Sequence, residues 1–313
     1  MEQRTLGNSG LSVSTVGLGC NNFGMRIAAA AAQVVVDKAV DLGVTFFDTA
    51  ELYGMGASEE MLGKALGSRR ADAVICTKFG VPSAGLSAPG CGSRRYIMTA
   101  VDKSLRRLDT DYIDLYMVHF PDPKTPISET VGTLDDLVRA GKVRYYGLSN
   151  VASWQLVEAQ YEARLGHRSP FIAVENEWSL VDRVIEKDVA PAARKYGVGI
   201  LPYFPLAGGF LTGKYRRGET MPAGGRLTEG MLAGLAHKYI TDRNWGILDA
   251  AERFAAEHGH SVLDLAMSWL LSQPGVASVM SGATKPEQLE ANVAAASWRL
   301  SPDEMAAVAA FTA

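Results

Sequence analysis

The chain has 313 residues, 47% of them hydrophobic, and its 31 basic residues nearly balance its 34 acidic ones, for a formal net charge of −3. This balance excludes the strong field that gathers nucleic acid or anionic lipid. Three cysteines are too few for a disulfide scaffold or a four-cysteine zinc site, and no apolar run is long enough to span a membrane. These features predict a cytoplasmic protein without nucleic-acid or membrane partners.

Short apolar runs alternate with segments of helical periodicity along the chain. A hairpin is predicted first, in "RTLGNSGLSVS", because Asn8, Ser9 and Gly10 can form a turn between two extended segments. The apolar runs that follow are predicted to be strands, at 15–19, 44–47, 73–77, 112–118, 143–148, 171–174, 199–202 and 276–280. Helical patterns separate or follow them, at 28–41, 58–66, 96–108, 127–140, 154–165 and 186–196, within 244–273, and at 286–296 and 301–310.

These elements predict an α/β fold, because parallel strands that alternate with crossover helices bury both faces of their sheet. Eight such strands close into a barrel more readily than they remain an open sheet. We therefore expect a (β/α)8 TIM barrel with an N-terminal β-hairpin and extra helices, formed by residues 1–313 as a single domain. A doubly wound open sheet is the alternative. The irregular segment 205–230 is long enough to be a functional lid.

Polar residues end most of the predicted strands. In a barrel of this kind the chemistry lies at the carboxyl ends of the strands. The residues at these ends are Asp48, Lys78, His119, Ser149, Asn150, Glu175 and Tyr203, and Tyr53 follows in "TFFDTAELYG". Any one of them could be a helix cap or a packing residue. Together they are predicted to converge on one mouth of the barrel and to form a proton-transfer site.

Four of these residues, Asp48, Tyr53, Lys78 and His119, are predicted to work as a unit. A phenol has an unperturbed pKa of roughly 10, and a neighbouring ammonium lowers it. Lys78 is expected to supply the ammonium, Asp48 to keep it charged, and His119 to orient a substrate oxygen. Tyr53 would then protonate a carbonyl oxygen while a cofactor delivers hydride.

The glycine-rich segments do not match a common nucleotide-binding fingerprint. "GLGCNNFG" lacks the G-x-G-x-x-G spacing, and "GGFLTGKY" has Tyr215 where a P-loop has Ser or Thr. The second segment nevertheless suits a pyrophosphate, and "SGATKPEQ" after the last strand opens a helix with free N–H groups. "HGH", at 258–260, lies between helices and not at a strand end, so no metal site is predicted.

The chain resembles the aldo-keto reductase family over essentially its whole length. The matching stretches are "GLGCNNFG", "GVTFFDTAELYG", "SEEMLGKAL", "CTKFG", "SLRRLDTDYIDLYMVH", "GKVRYYGLSN", "ENEWSL", "YFPLAGGFLTGKY" and "SGATKPEQLEANV". The resemblance implies NADPH-dependent reduction of an aldehyde or ketone to an alcohol. It implies that Asp48, Tyr53, Lys78 and His119 are the catalytic tetrad, with Tyr53 as general acid. It leaves the oligomeric state and the particular carbonyl substrate open.

The resemblance also implies a set of residues that contact NADPH or NADP+. Ser149 and Asn150 match the pair that binds the carboxamide, and Tyr203 matches the aromatic residue that stacks on the nicotinamide. Thr284 beside Lys285 suits a 2′-phosphate. The other predicted cofactor contacts are Gly19, Cys20, Asn21, Asp48, Glu175, Phe204, Pro205, Leu206, Ala207, Gly208, Lys214, Arg226, Gly282, Gln288 and Asn292.

Two positions depart from the family pattern. Glu175 stands where the family usually has Gln, and a carboxylate cannot donate to the carboxamide oxygen. Ala291 replaces a common Glu that reaches the adenine.

The predicted substrate pocket has an aromatic lining that favours apolar or aromatic carbonyl compounds over sugar phosphates. Its residues are Met25, Tyr53, Phe79, His119, Phe120 and Trp178.

Two other functions are compatible with a barrel of this kind. One is a cofactor-sensing regulatory or binding subunit, like the potassium-channel β-subunits that the family includes. The intact set of four residues favours the enzyme over this subunit. The other is a metal-dependent barrel hydrolase, which would contain zinc and lose its activity to chelators.

Overall fold

An eight-stranded parallel sheet forms the centre of the computed structural model, which describes residues 1–80, 90–229 and 231–312. Two short antiparallel strands precede it, β1 (Gln3–Thr5) and β2 (Ser12–Ser14). The parallel strands are β3 (Val16–Gly19), β4 (Phe46–Asp48), β5 (Val74–Phe79), β6 (Ile113–Val118), β7 (Val143–Ser149), β8 (Ala173–Glu177), β9 (Gly199–Tyr203) and β10 (Val279–Gly282).

The sheet is a nearly closed barrel. Strands β3 to β9 are neighbours in chain order, and β10 pairs with β3. On the remaining side, Ile200 in β9 forms a parallel bridge with Val276, just before β10. The predicted (β/α)8 TIM barrel with its N-terminal hairpin is confirmed. Residues 81–89, 230 and 313 of the predicted domain lie outside the described residues, and so does the last residue of the predicted lid.

Helices surround the barrel and follow its strands. They are α1 (Ala29–Asp41), α2 (Ala57–Leu66), α3 (Arg94–Leu108), α4 (Ile127–Arg139), α5 (Ser153–Leu165), α6 (Val189–Tyr196), α7 (Ala236–Tyr239), α8 (Asp242–Glu257), α9 (Val262–Leu271), α10 (Pro286–Ala295) and α11 (Pro302–Phe311). One predicted helix differs from the prediction: the one at 186–196 begins at Val189, where Asp188 caps it. Within 244–273 the predicted helices form as α8 and α9, separated at Gly259, which has a φ of 75°.

Side chains of the strands pack in two layers, because successive residues point to opposite faces. Inward-facing residues fill the barrel and include Phe46, Cys76, Leu115, Met117 and Leu201. Outward-facing residues pack against the helices and include Phe47, Ile75, Phe79, Tyr116 and Val118. This alternation decides which residues near the strand ends can reach the mouth.

The hairpin covers the amino-terminal end of the barrel. Leu6 and Val13 belong to the interior cluster together with Ile172, which precedes β8. Gly7 allows this close approach, because it has a φ of +56° and a Cβ there would lie 2.5 Å from the carbonyl oxygen of Ile172. With this end closed, the carboxyl end is the one available for a site.

Among the described residues, no helix has both the length and the apolar character needed to cross a bilayer.

Candidate active site

The inward face of neighbouring strands brings three of the predicted residues together. Asp48 ends β4, Lys78 is the penultimate residue of β5, and His119 directly follows β6. Each lies two residues beyond a side chain of the barrel interior, Phe46, Cys76 and Met117 respectively. All three side chains are buried. They therefore meet inside the carboxyl-end mouth of the barrel.

Lys78 is the centre of this group. Its ammonium contacts Asp48 Oδ1, donates to the backbone oxygen of Thr49 at 3.3 Å, and lies 3.3 Å from Glu175 Oε2. Burial alone lowers the pKa of Lys78, but attraction to Asp48 and Glu175 outweighs burial and raises that pKa well above its ordinary value. Lys78 is therefore a charged ammonium that faces two carboxyl groups.

Tyr53 lies against this ammonium, at the start of a 3-10 turn that precedes α2. Lys78 Nζ is 5.3 Å from the centroid of the Tyr53 ring. Burial raises the pKa of Tyr53 strongly; Lys78 opposes this, whereas Asp48 and Glu175 add to it. The expectation of a lowered pKa is wrong, because burial, together with the two carboxyl groups, outweighs the effect of the one ammonium. Tyr53 consequently keeps its proton at neutral pH.

His119 is a neutral imidazole. Burial, reinforced by the charge of Lys78, lowers the pKa of His119 to about 3. Its ring meets the Tyr53 ring edge-on, with 5.8 Å between centroids. Within the described part of the chain, His119 Nδ1 is buried without a hydrogen-bond partner. A buried polar atom of this kind normally has a partner, and a ligand at the mouth could supply one.

A hydrogen-bond network joins the ends of β7, β8 and β9. The Tyr203 hydroxyl donates to Asn150 Oδ1 at 2.6 Å, and Asn150 Nδ2 donates to the backbone oxygen of His119 and to Ser149 Oγ, both at 3.0 Å. Ser149 Oγ in turn donates to the backbone oxygen of Glu175 at 2.9 Å. The predicted carboxamide pair and the predicted stacking aromatic residue are thus parts of one fixed unit.

Strained backbone is concentrated near this mouth. Four non-glycine residues there have left-handed φ values: Met55 (58°), Asn150 (57°), Phe204 (51°) and Ala207 (47°). Such conformations cost of order 1–3 kcal/mol each and persist where the surrounding structure holds them in place. The surrounding protein therefore holds the backbone of the loops that carry the predicted cofactor contacts in these conformations.

Positive charge without matching negative charge lies beside the mouth. Within the described residues, Arg26, Lys214 and Arg226 form no ion pairs. Burial, and then repulsion from Arg26 and Arg226, lowers the pKa of Lys214. Burial, and then Arg26, lowers the pKa of Arg226 to about 10. A group of cations that repel one another in this way favours a polyanionic ligand.

The segment after β9 folds over the mouth. Arg226 Nη2 donates to Asn21 Oδ1 at 2.7 Å and to Asn22 Oδ1 at 2.9 Å, and Arg26 donates to the backbone oxygen of Gly224 at 2.8 Å. These contacts tie the segment to the loop after β3. Leu227 packs so tightly on Gly208 that a Cβ at this glycine would lie 2.7 Å from it. As far as it is described, the segment predicted to be a lid therefore lies against the loop after β3.

A second feature that could hold an anion follows β10. Helix α10 begins at Pro286, and its N-cap Lys285 makes no side-chain cap, so the first N–H groups of the helix have no side-chain acceptor. Thr284 donates to Gln288 Oε1 through both its backbone N–H and its hydroxyl. Gly282 lies beside Asn21 and Asn22, and Asn292 is buried on α10. These predicted contacts thus adjoin the loop after β3.

Asp48, Cys76 and Glu175 bring three potential ligand atoms within 4.8 Å of one another. The Lys78 ammonium, however, contacts Asp48 and lies at ion-pair distance from Glu175. It already supplies the positive charge that these carboxyl groups need. We interpret the group as an ion-pair cluster and not as a metal site.

Comparison with known proteins identifies the family. A model described as the Aldo/keto reductase family matches residues 15–313. The chain belongs to this family. The match covers all eight strands of the barrel and every element that carries the residues of the mouth, and it begins after the N-terminal hairpin.

Curated relatives cover nearly the whole length of this aldo/keto reductase. It is 36% identical over 310 residues to "Probable aldo-keto reductase 1" of Glycine max, covering 96% of this chain and 86% of that protein. It is also 36% identical over 301 residues to "Probable voltage-gated potassium channel subunit beta" of Oryza sativa subsp. japonica, covering 94% and 91%. "L-glyceraldehyde 3-phosphate reductase" of Escherichia coli O157:H7 is 34% identical over 308 residues, covering 94% and 87%. Family membership supports an oxidoreductase and carbonyl reduction in general.

Two predicted pocket residues of this aldo/keto reductase do not face the mouth. Phe79 is adjacent to the inward-facing Lys78 and therefore points outward, where its ring lies 4.7 Å from that of Tyr116. Trp178 is only 1% exposed and packs edge-on against Trp269 of α9. Met25 and Phe120, in contrast, are 45% and 44% exposed, and Phe120 stacks on His119.

Two residues of the reductase's mouth were missing from the sequence prediction. Arg26 belongs to the group of cations, and Asn22 helps to hold Arg226. Both follow β3, so the rule that barrel chemistry lies after the strands could have indicated them. The residues that the resemblance implies in this loop include Asn21 and Met25, but neither Asn22 nor Arg26.

Proposed function

We propose that this aldo/keto reductase reduces an aldehyde or ketone to an alcohol, with NADPH as hydride donor and Tyr53 as general acid. The observation that carries the proposal is the group of buried Asp48, Lys78 and His119 with partly buried Tyr53, in which a protonated phenol and a neutral imidazole lie beside a charged ammonium. This is the set of groups that a carbonyl oxygen needs when it is converted to a hydroxyl.

Each residue has a separate task in this proposal. NADPH, when bound, supplies the hydride. Tyr53 donates its proton to the carbonyl oxygen, and Lys78 stabilises the phenolate that remains. Asp48 holds Lys78 in place and keeps it charged. As a neutral imidazole, His119 can donate one hydrogen bond to the carbonyl oxygen and so orient it.

The residues around the mouth fit a phosphorylated dinucleotide. Arg26, Lys214 and Arg226 provide positive charge for a pyrophosphate, and the open N-terminus of α10 with Lys285 suits a further phosphate. The network of Ser149, Asn150 and Tyr203 offers polar groups and an aromatic ring to a nicotinamide. These features support NADPH as the cofactor.

The exposed side chains of Met25 and Phe120 support an apolar or aromatic carbonyl compound as substrate. We also propose a cytoplasmic location, for which the low cysteine content is the support.

A carbonyl screen tests the proposed activity. The purified full chain is mixed with NADPH and a panel of aliphatic and aromatic aldehydes and ketones, and the loss of NADPH absorbance is followed. We expect oxidation of NADPH that depends on the carbonyl compound and yields the matching alcohol. Binding of NADPH without turnover across the panel would contradict the proposal. It would favour the regulatory subunit, a role compatible with the relatives named as channel subunits.

Replacement of Lys214 by Met tests the cofactor assignment. We expect the Kd for NADPH to rise about tenfold, because a charge-assisted contact to phosphate contributes about 1.5 kcal/mol or more. Fluorescence titration with NADPH measures this change. Lys103→Met, which removes an exposed charge from α3, is the matched control and should leave the Kd unchanged. An unchanged Kd in Lys214→Met would show that this loop does not hold the cofactor.

A further inference from the structure

Glu175 is built into the catalytic group, although it comes from the other side of the barrel. It lies on β8, paired with Ser149 of β7 and Leu201 of β9, and its side chain faces the barrel interior. It is buried, and its Oε2 lies 3.3 Å from Lys78 Nζ. The same oxygen has no well-oriented hydrogen bond among the described residues. Lys78 thus lies beside both Glu175 and Tyr53.

The charges around Glu175 favour its protonated form. The titratable groups that face it are Asp48 from β4, Cys76 and Lys78 from β5, Tyr203 from β9, and Tyr53. A single ammonium serves two carboxyl groups, and the contact with Asp48 is the closer one. Burial, and then repulsion from Asp48, raises the pKa of Glu175 to about 8, despite the attraction of Lys78. Near neutral pH, Glu175 is therefore mostly a carboxylic acid.

We propose that Glu175 is an internal proton reserve that, through Lys78, returns a proton to Tyr53 after Tyr53 has protonated the substrate oxygen. The proposal rests on the carbonyl reduction proposed above. Glu175 acts through Lys78 and does not touch the substrate, so it is a positioning residue and not a catalytic one. A Gln at this position could not hold a proton for transfer.

The transfer balances without any additional reactant. Lys78 gives one N–H proton to the Tyr53 phenolate and takes the O–H proton of Glu175. One O–H bond forms at Tyr53 and one breaks at Glu175, while Lys78 ends as it began, as an ammonium. The negative charge moves from the phenolate to the Glu175 carboxylate, and solvent restores the proton of Glu175 before the next turnover.

The pH dependence of turnover tests this reserve. If reduction needs protonated Glu175, wild-type kcat should fall about tenfold between about pH 7 and about pH 9, because the protonated fraction of a group with a pKa of about 8 falls by this factor. In Glu175→Gln, which keeps the size and shape of the side chain, this decrease should disappear. A purely structural role of Glu175 would change the size of kcat without moving its pH profile.

A buried carboxyl group elsewhere provides the matched control. Glu59 is buried and ion-paired with Arg107, and it accepts from Thr77 on the outward face of β5. Glu59→Gln should keep the wild-type decrease. If Glu175→Gln turns over but also keeps the decrease, the proton reserve is overturned while the proposed reduction stands. If the wild type turns over no carbonyl compound at all, both are overturned.

Infrared spectroscopy gives a readout that does not depend on turnover. Wild-type protein should show a protonated-carboxyl band that disappears as the pH rises through about 8, and Glu175→Gln should lack this titrating band. Absence of a titrating band from the wild type would overturn the inference, because Glu175 would then have no proton to give.

Discussion

Replacement of Tyr53 by Phe should reduce the kcat of carbonyl reduction by about 10²- to 10⁴-fold, the usual contribution of a general acid. The phenol is the group that lies between the Lys78 ammonium and the His119 ring, and the substitution removes its hydroxyl and little else. The Kd for NADPH should change by less than about twofold, because the cofactor contacts come from other loops. Steady-state kinetics and fluorescence titration measure the two quantities.

Tyr112→Phe is the matched control for this substitution. Tyr112 precedes β6, at the opposite end of the barrel, and its ring lies under Arg70 and Arg144. The control should retain wild-type turnover. Full activity in Tyr53→Phe would contradict the assignment of Tyr53 as the acid.

Replacement of Lys78 by Met should lower the free energy of unfolding by about 3–5 kcal/mol, because removing one partner of a buried ion pair leaves the other uncompensated. Here the loss leaves two buried carboxyl groups, Asp48 and Glu175, without their ammonium. Turnover should be lost as well. Urea unfolding of the wild type and the variant at neutral pH measures the change in stability.

A second variant separates charge from packing in this experiment. Lys78→Met combined with Asp48→Asn removes the carboxyl group in closest contact with Lys78 and should recover part of the lost stability. Equal stability of Lys78→Met and the wild type would contradict the ion-pair account. Equal stability of the single and double variants would contradict the pairing of Asp48 with Lys78 as the source of the loss.

The fold could be predicted because it depends on local patterns. Apolar runs such as 112–118 marked the strands, and their alternation with helices indicated a parallel barrel. Strand ends were less certain. The predicted strand 171–174 forms instead as Ala173–Glu177, because backbone pairing with β9 extends it through Asn176 and Glu177. Polarity of side chains does not reveal such pairing.

Most of the residues that meet at the mouth could be predicted from the sequence, but their electrostatics could not. The direction of Phe79 and Trp178 depends on which face of each strand is turned inward, which a list of strand ends does not specify. The pKa of Tyr53 depends on its burial and on two carboxyl groups, of which Glu175 comes from β8, four places along the sheet from the strand of Asp48. Arg26 and Arg226 are likewise brought together only by folding of the chain.

A crystal structure of the full chain with bound NADP+ would examine the site as a whole. We predict that the nicotinamide ring stacks on Tyr203, that its carboxamide contacts Ser149 and Asn150, and that its hydride-carrying carbon faces the Tyr53 hydroxyl across a space that one carbonyl group fills. A nicotinamide bound away from Tyr53, or one separated from it by protein, would contradict the proposal that this mouth reduces carbonyl compounds.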